Sequence, residues 1–259
     1  MKRITALLLA ILLCAALFAG CQTPAAEKPT LIVGLDDTFA PMGFRDEAGN
    51  LTGFDVELAT ALGEELGMEI KFQPIDWDIK YTELESGNVD CLWNGFSRNE
   101  ERETKFTLTQ NYFNNRMIVM TNKGITIASK EDMANYNIGT QAASEALKLL
   151  MADDAYPLYK DKINEYKTYD ECIMDMQAGR IDAMVVDAVL GEYKNANLGG
   201  IFGECDFDFG DDFYVIGFRK EDTELCKKIE AGLKALQASG KTAEISEKWF
   251  GEDKMLMLK

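Results

Sequence analysis

Chemistry-bearing residues in this 259-residue chain are mainly acids and a few arginines, because histidine is absent. Its absence excludes Ser-His-Asp and Cys-His catalytic units and a histidine-rich metal site. Among the cysteines, Cys91, Cys172, Cys205 and Cys226 are widely spaced, with no Cys-x-x-Cys pair for zinc or redox work. Cys91 lies in an apolar run, and Cys172 and Cys226 fall on the apolar sides of helical patterns. Buried free thiols are therefore expected, while a disulfide stays open if the chain is exported. The informative polar residues stand directly after apolar runs: Asn94 to Ser97 after 89–93, and Asp187 after 183–186. If those runs are core strands, these residues occupy carboxyl strand ends, where open α/β sheets bind ligands. Acidic residues outnumber basic ones by 44 to 27, a formal charge of −17, so nucleic-acid backbone is a poor partner.

The elements that must position these residues can be traced along the chain. Residues 31–34 form a short β-rich run. Asp55 is expected to cap a helix whose apolar face is Leu58, Ala59, Leu62, Gly63 and Leu66, with Gly67 as its stop. Residues 70–74 and 89–93 read as further strands, with a short helix near 80–85 between them. The second half repeats this grammar. Asp170 is expected to cap a helix carrying Cys172, Ile173 and Met176. Gly179-Arg180-Ile181-Asp182-Ala183-Met184-Val185 then parallels Gly87-Asn88-Val89-Asp90-Cys91-Leu92-Trp93. Trp93, in mid-run, reads as core. Alternating strands and helices imply a parallel sheet covered on both faces. Runs at 117–121 and 213–218 are expected at the boundaries between two α/β lobes. A long amphipathic helix then carries Leu225, Cys226, Ile229, Leu233 and Leu236, and a last helix ends at Phe250.

The N-terminus reads as a targeting segment. Lys2 and Arg3 precede an almost wholly apolar run to Ala19. As a helix that run would measure about 24 Å, short of a comfortable bilayer span, and its small residues at the end suit a secretory signal. Leu17-Phe18-Ala19-Gly20-Cys21 resembles a bacterial lipobox, with Phe18 where leucine is usual. Residues 1–20 are expected to be a signal peptide, Cys21 a lipidation site, and 21–29 a tether to the membrane.

The segment Gly53-Phe54-Asp55-Val56-Glu57-Leu58-Ala59-Thr60-Ala61-Leu62-Gly63 resembles the signature of family 3 extracellular solute-binding proteins, the polar amino-acid receptors of ABC importers. The closing Ile245-Ser246-Glu247-Lys248-Trp249-Phe250-Gly251 is also similar, and the likeness spans about residues 30–253. It implies a type II periplasmic-binding-protein-like α/β fold with two lobes, two hinge strands and a ligand cleft between them. Lobe 1 would comprise 30–118 and 215–259, and 119–214 would hold the hinges and lobe 2. It further implies a monomer without cofactor or metal, held outside the cytoplasm by its lipid and serving an importer's membrane subunits.

An amino acid presents a carboxylate and an ammonium close together, so its receptor needs a forked cation and an anion. The resemblance assigns the carboxylate to Arg102, which would otherwise be a surface arginine paired with Glu100 or Glu101. Arg98 is expected to face solvent. Asp187 would take the ammonium; capping the following helix is its alternative or additional role. Ser97 and the Gly95 carbonyl would add polar contacts. Phe39 and Trp77 would form aromatic walls, and Asp36, helped by Asn94, would read the distal end of the ligand. Ser144 would help hold the carboxylate at a helix start, in a loop where Ala143 replaces the usual glycine and Glu145 a second hydroxyl. Glu145 would repel a ligand carboxylate unless it points away. Which amino acid is bound stays open, as do a dehydratase-type enzyme on this fold and a free-standing amino-acid sensor.

Overall fold

The computed structural model describes residues 28–258. The expected signal peptide, Cys21 and most of the tether lie outside them. Among the described residues no helix is long and apolar enough to cross a membrane.

The chain begins with β1 (Thr30–Leu35) and a small antiparallel sheet of β2 (Thr38–Phe39), β3 (Gly43–Arg45) and β4 (Leu51–Thr52). Helix α1 (Phe54–Leu66) follows, and Gly67 ends it in the left-handed conformation, φ 63°. Asp55 is not the cap expected of it. Gly53 holds the N-cap, and a Cβ there would lie 2.3 Å from the Met42 carbonyl oxygen. Asp55 sits inside the first turn and turns inward, accepting bonds from Trp93 Nε1 (3.2 Å), Gly95 N (3.0 Å) and Tyr112 Oη (2.8 Å). Strand β5 (Glu69–Pro74), α2 (Lys80–Glu85), β6 (Cys91–Leu92), α3 (Glu100–Lys105) and β7 (Thr107–Leu108) complete this stretch. The strand read over 89–93 is only two residues long, because Asn94 and Gly95 already turn toward the cleft.

Strand β8 (Phe113–Asn122) opens the second sheet. It is followed by β9 (Ile138–Gln141), α4 (Glu145–Ala152), α5 (Tyr156–Tyr159), β10 (Ile163–Tyr166), α6 (Tyr169–Gln177), β11 (Ala183–Asp187), α7 (Ala188–Asn197) and β12 (Phe202–Tyr214). Thr168, not Asp170, caps α6, in a reciprocal capping box with Glu171. The run read over 213–218 is split: β12 ends in the second sheet at Tyr214, and β13 (Gly217–Phe218) lies in the first. Helices α8 (Thr223–Ala238) and α9 (Lys241–Phe250) then pack on α1. Leu58 and Leu62 of α1 and Ile229 and Leu233 of α8 are all fully buried. Each contributes about 2 kcal/mol of apolar burial.

The two five-stranded sheets have matching orders, β5-β1-β6-β13-β7 and β10-β9-β11-β8-β12. They are mixed rather than parallel: β13 pairs antiparallel with β6, and β8 with β11. The cause is the chain's two passages between lobes, each of which inserts a returning strand. The sequence repeat has a structural counterpart. Asp90 Oδ2 accepts from Ile32 N at 2.8 Å, and Asp182 Oδ2 from Asn137 N at 2.7 Å. The two acids thus tie equivalent strands to their neighbours. Among the described residues Cys91, Cys172, Cys205 and Cys226 are free thiols; Cys205, on β12, is only half-buried.

Candidate ligand-binding site

Strands β1, β6, β9 and β11 end toward one cleft. The residues at those ends are Asp36, Asn94 and Gly95 from the first lobe, and Gln141 and Asp187 from the second. The lobes touch there: Gln141 Nε2 donates to Asp36 Oδ2 at 2.7 Å. The other Asp36 oxygen accepts from Thr38 N at 2.9 Å and Thr38 Oγ1 at 2.7 Å. Burial nevertheless pushes the Asp36 carboxyl above its usual range.

Arg102 is 2% exposed, on the short helix α3. Its guanidinium lies 4.1 Å over the Phe96 ring and donates to Tyr81 Oη at 2.9 Å and to the Ser97 carbonyl. Those bonds fix the fork in place. Arg98 is no free surface cation. It is half-buried and donates to Asn111 Oδ1, Glu103 Oε1 and the Thr109 carbonyl, bracing the segment that leads into β8.

Across the cleft Ser144 caps α4, its Oγ accepting from Leu147 N at 3.1 Å. Glu145 does not point away. It is buried, accepts from Asn99 Nδ2, and comes within 3.8 Å of Arg102 Nη1. Ala143 takes the left-handed conformation a glycine would favour, φ 52°. Its carbonyl is held by Lys80 Nζ at 2.8 Å, which also donates to the Trp77 carbonyl at 2.9 Å. Burial pushes the Lys80 ammonium down to about 7, with the Arg102 charge acting in the same direction.

Asp187 is 4% exposed and accepts from Tyr214 Oη at 2.7 Å and Asn115 Nδ2 at 2.9 Å. It stands at the N-cap position of α7, but its side chain makes no capping bond. The same Asn115 amide donates to Asp212 Oδ2 at 3.1 Å, and Ser97 Oγ reaches that oxygen from the first lobe at 3.0 Å. A buried polar line therefore runs from Arg102 through Ser97, Asp212 and Asn115 to Asp187. Burial raises both carboxyls above the usual range, and the Asp212 charge raises Asp187 further.

Phe39 meets Tyr169 of the second lobe at 6.2 Å between ring centroids, and Trp77 meets Phe96 edge-on at 6.1 Å. Gly95, at φ 56°, has no room for a side chain: a Cβ would lie 2.7 Å from the Phe39 ring. Asn94 supports the site from behind, its Oδ1 accepting from Asp36 N at 3.3 Å. Two hollows open between the lobes. One of about 300 Å3 brings Asp36, Thr38, Asp76 and Trp77 against Lys167 and Glu171. The other, about 330 Å3, brings Lys80, Tyr81 and Arg102 against Ser144, Glu145 and Met151. Lys80, Asn115, Tyr169, Asp212 and Tyr214 were not expected here from sequence. Asp212 carries no spacing signal, lying in a run already rich in acids.

Residues 31–252 match the family described as bacterial extracellular solute-binding proteins, family 3. The chain belongs to that family. It is similar to the L-cystine-binding protein TcyJ of Escherichia coli K12, with 30% identity over 242 residues covering 90% of this chain and 87% of that protein. It is also similar to the arginine-binding extracellular protein ArtP of Bacillus subtilis 168, with 28% identity covering 98% and 100% of the two chains. An ABC uptake transporter substrate-binding protein from Streptococcus pneumoniae, solved with bound histidine, superposes with a TM-score of 0.82 at 36% identity, over 88% of this chain and 95% of that one. As a member of family 3, this chain has the two-lobe type II architecture, and its cleft is the place to seek the solute.

Proposed function

We propose that this protein is an extracytoplasmic receptor that encloses one polar amino acid between its lobes and delivers it to an ABC importer. The observation that carries this reading is the buried line from Arg102 to Asp187, which offers a fixed guanidinium at one end and a carboxylate at the other. Arg102 takes the α-carboxylate, with Ser97 and Ser144 beside it, and the ligand displaces Glu145 from its place 3.8 Å from the guanidinium. Asp187 and the Gly95 carbonyl take the ammonium. Asp36, backed by Asn94, reads the distal group, and Phe39 and Trp77 flank the side chain. A ligand gripped from both lobes stabilises the closed form specifically and shifts the population toward it. Cystine-, arginine- and histidine-binding relatives support an amino-acid solute.

The same reading makes the protein a monomeric binding protein without turnover. Residues 30–112 and 215–259 form lobe 1 and residues 113–214 the hinges and lobe 2, the boundary falling ahead of the expected 118 because β8 pairs along its length in the second sheet. A lipid on Cys21 holds the chain at the membrane. A thermal-shift screen of the common amino acids with ornithine, citrulline and cystine tests it. A ligand at 1,000 times its dissociation constant adds about 4 kcal/mol of stability, so a true solute raises Tm by several degrees. A flat response to every amino acid rejects the proposal.

A further inference from the structure

The paired acids of the second lobe carry more than one ammonium contact requires. Asp187 and Asp212 are both buried and share the single Asn115 amide, at 2.9 and 3.1 Å. Asp187 also accepts from Tyr214, and Asp212 from Ser97 across the cleft. Tyr169 adds an independent sign of a ligand. It is 1% exposed, and among the described residues its hydroxyl finds no acceptor, the Thr140 and Ser144 hydroxyls being the polar groups beside it. A buried donor left unsatisfied is costly, and a ligand in this seat would supply its partner.

We propose that Asp212 is a second ammonium-binding carboxylate, and that Asp187 and Asp212 hold one proton between them in the ligand-free protein and exchange it for the ligand's ammonium. The proposal rests on the amino-acid reading above. Two carboxylates this close and this buried do not both ionise unless a cation joins them. The entering ammonium is that cation, and the displaced proton goes to solvent. The charged or titratable groups facing the pair are Glu145 on α4, Arg102 on α3, Tyr169 on α6 and Tyr214 on β12. Glu145 opposes ionisation of both acids and Arg102 favours that of Asp212, so the seat depends on all three acids. Binding accordingly weakens as pH falls, because the proton competes with the ligand for one place.

Calorimetry tests this with L-arginine, L-histidine, L-cystine and L-glutamine as probes, in buffers of differing ionisation enthalpy. For any probe that binds at pH 7, the wild-type protein is expected to release most of one proton per ligand, and Asp212→Asn less than half as much. Between pH 8 and pH 5 the wild-type affinity is expected to fall at least tenfold, while that of Asp212→Asn stays within threefold. Equal proton release from the two proteins overturns the proposal. If none of these probes binds and the full amino-acid screen is also flat, the amino-acid reading fails, and the seat is read separately by NMR of the ligand-free wild-type protein carrying carbon-13-labelled aspartate. One carboxyl of the pair is expected to stay protonated above pH 6. Both ionising below pH 5 overturns the proposal without recourse to a variant.

Discussion

Arg102 spends part of its donor fork inside its own lobe, on Tyr81 and Ser97, and rests on Phe96. That leaves it stiff and partly free, the state in which a guanidinium grips a carboxylate best. Arg102→Ala is expected to weaken binding by at least about 2 kcal/mol, roughly 30-fold. Arg102→Lys should rescue little of it, since a point charge cannot reproduce the fork; unchanged affinity by calorimetry would contradict the assignment. Ala143 is the opposite case, a residue in tension with its backbone. A left-handed conformation costs a non-glycine residue about 1 kcal/mol, so Ala143→Gly is expected to stabilise the protein by up to that amount in denaturant titrations. Part of that gain is offset by glycine's extra freedom in the unfolded chain. Asp187 was legible as a candidate because it follows a strand that ends at the cleft, whereas Arg102 was a candidate only through the family resemblance, its own surroundings reading as a charged surface helix. Asp212 was not, because it lies among other acids near the end of a long, irregular strand, β12, with no spacing to mark it.

Helix α1 shows how an element is fixed to its neighbours by one buried acid. Asp55 joins α1 to Trp93 behind β6, to the Gly95 turn and to Tyr112 beside the passage into β8. The apolar periodicity of α1 was readable, and with it the helix and its glycine stop. The inward turn of Asp55 was not, because Asp at a helix start is ordinarily a cap and its three partners lie 38 to 57 residues away. Antiparallel β13 and β8 were hidden for a similar reason: strand direction depends on where the chain returns, which no local pattern records. Burial pushes Asp55 up to about 7, against about 3.9 when unfolded. The folded chain therefore holds more protons between those values, and stability falls as pH rises through that window. Asp187 and Asp212 add to the same slope. Asp55→Asn is expected to lower stability at pH 4, where one acceptor is lost, and to flatten the decline between pH 4 and 7 in chemical denaturation. An unchanged slope would mean that Asp55 ionises normally.

The closed arrangement of the whole molecule rests on contacts of unequal worth. Lys167 and Asp76 form an ion pair across the rim at 2.8 Å, but the two side chains are 59% and 50% exposed. Such pairs contribute at most about 1 kcal/mol and are screened by salt. Gln141 and Asp36 meet inside the cleft, both buried, where losing the donor leaves a desolvated carboxyl short of a partner at a cost of about 1–3 kcal/mol. Because each bond spans the lobes, its loss penalises the closed form and weakens apparent affinity by the same amount. Gln141→Ala is thus expected to raise the dissociation constant about tenfold, and Lys167→Ala less than about threefold. X-ray scattering should show the wild-type protein contracting fully at saturating ligand. Gln141→Ala should need proportionately more ligand to reach the same radius. If the rim variant matched the cleft variant in affinity, closure would be held by surface charge, and the deep contact between β1 and β9 would be incidental to it.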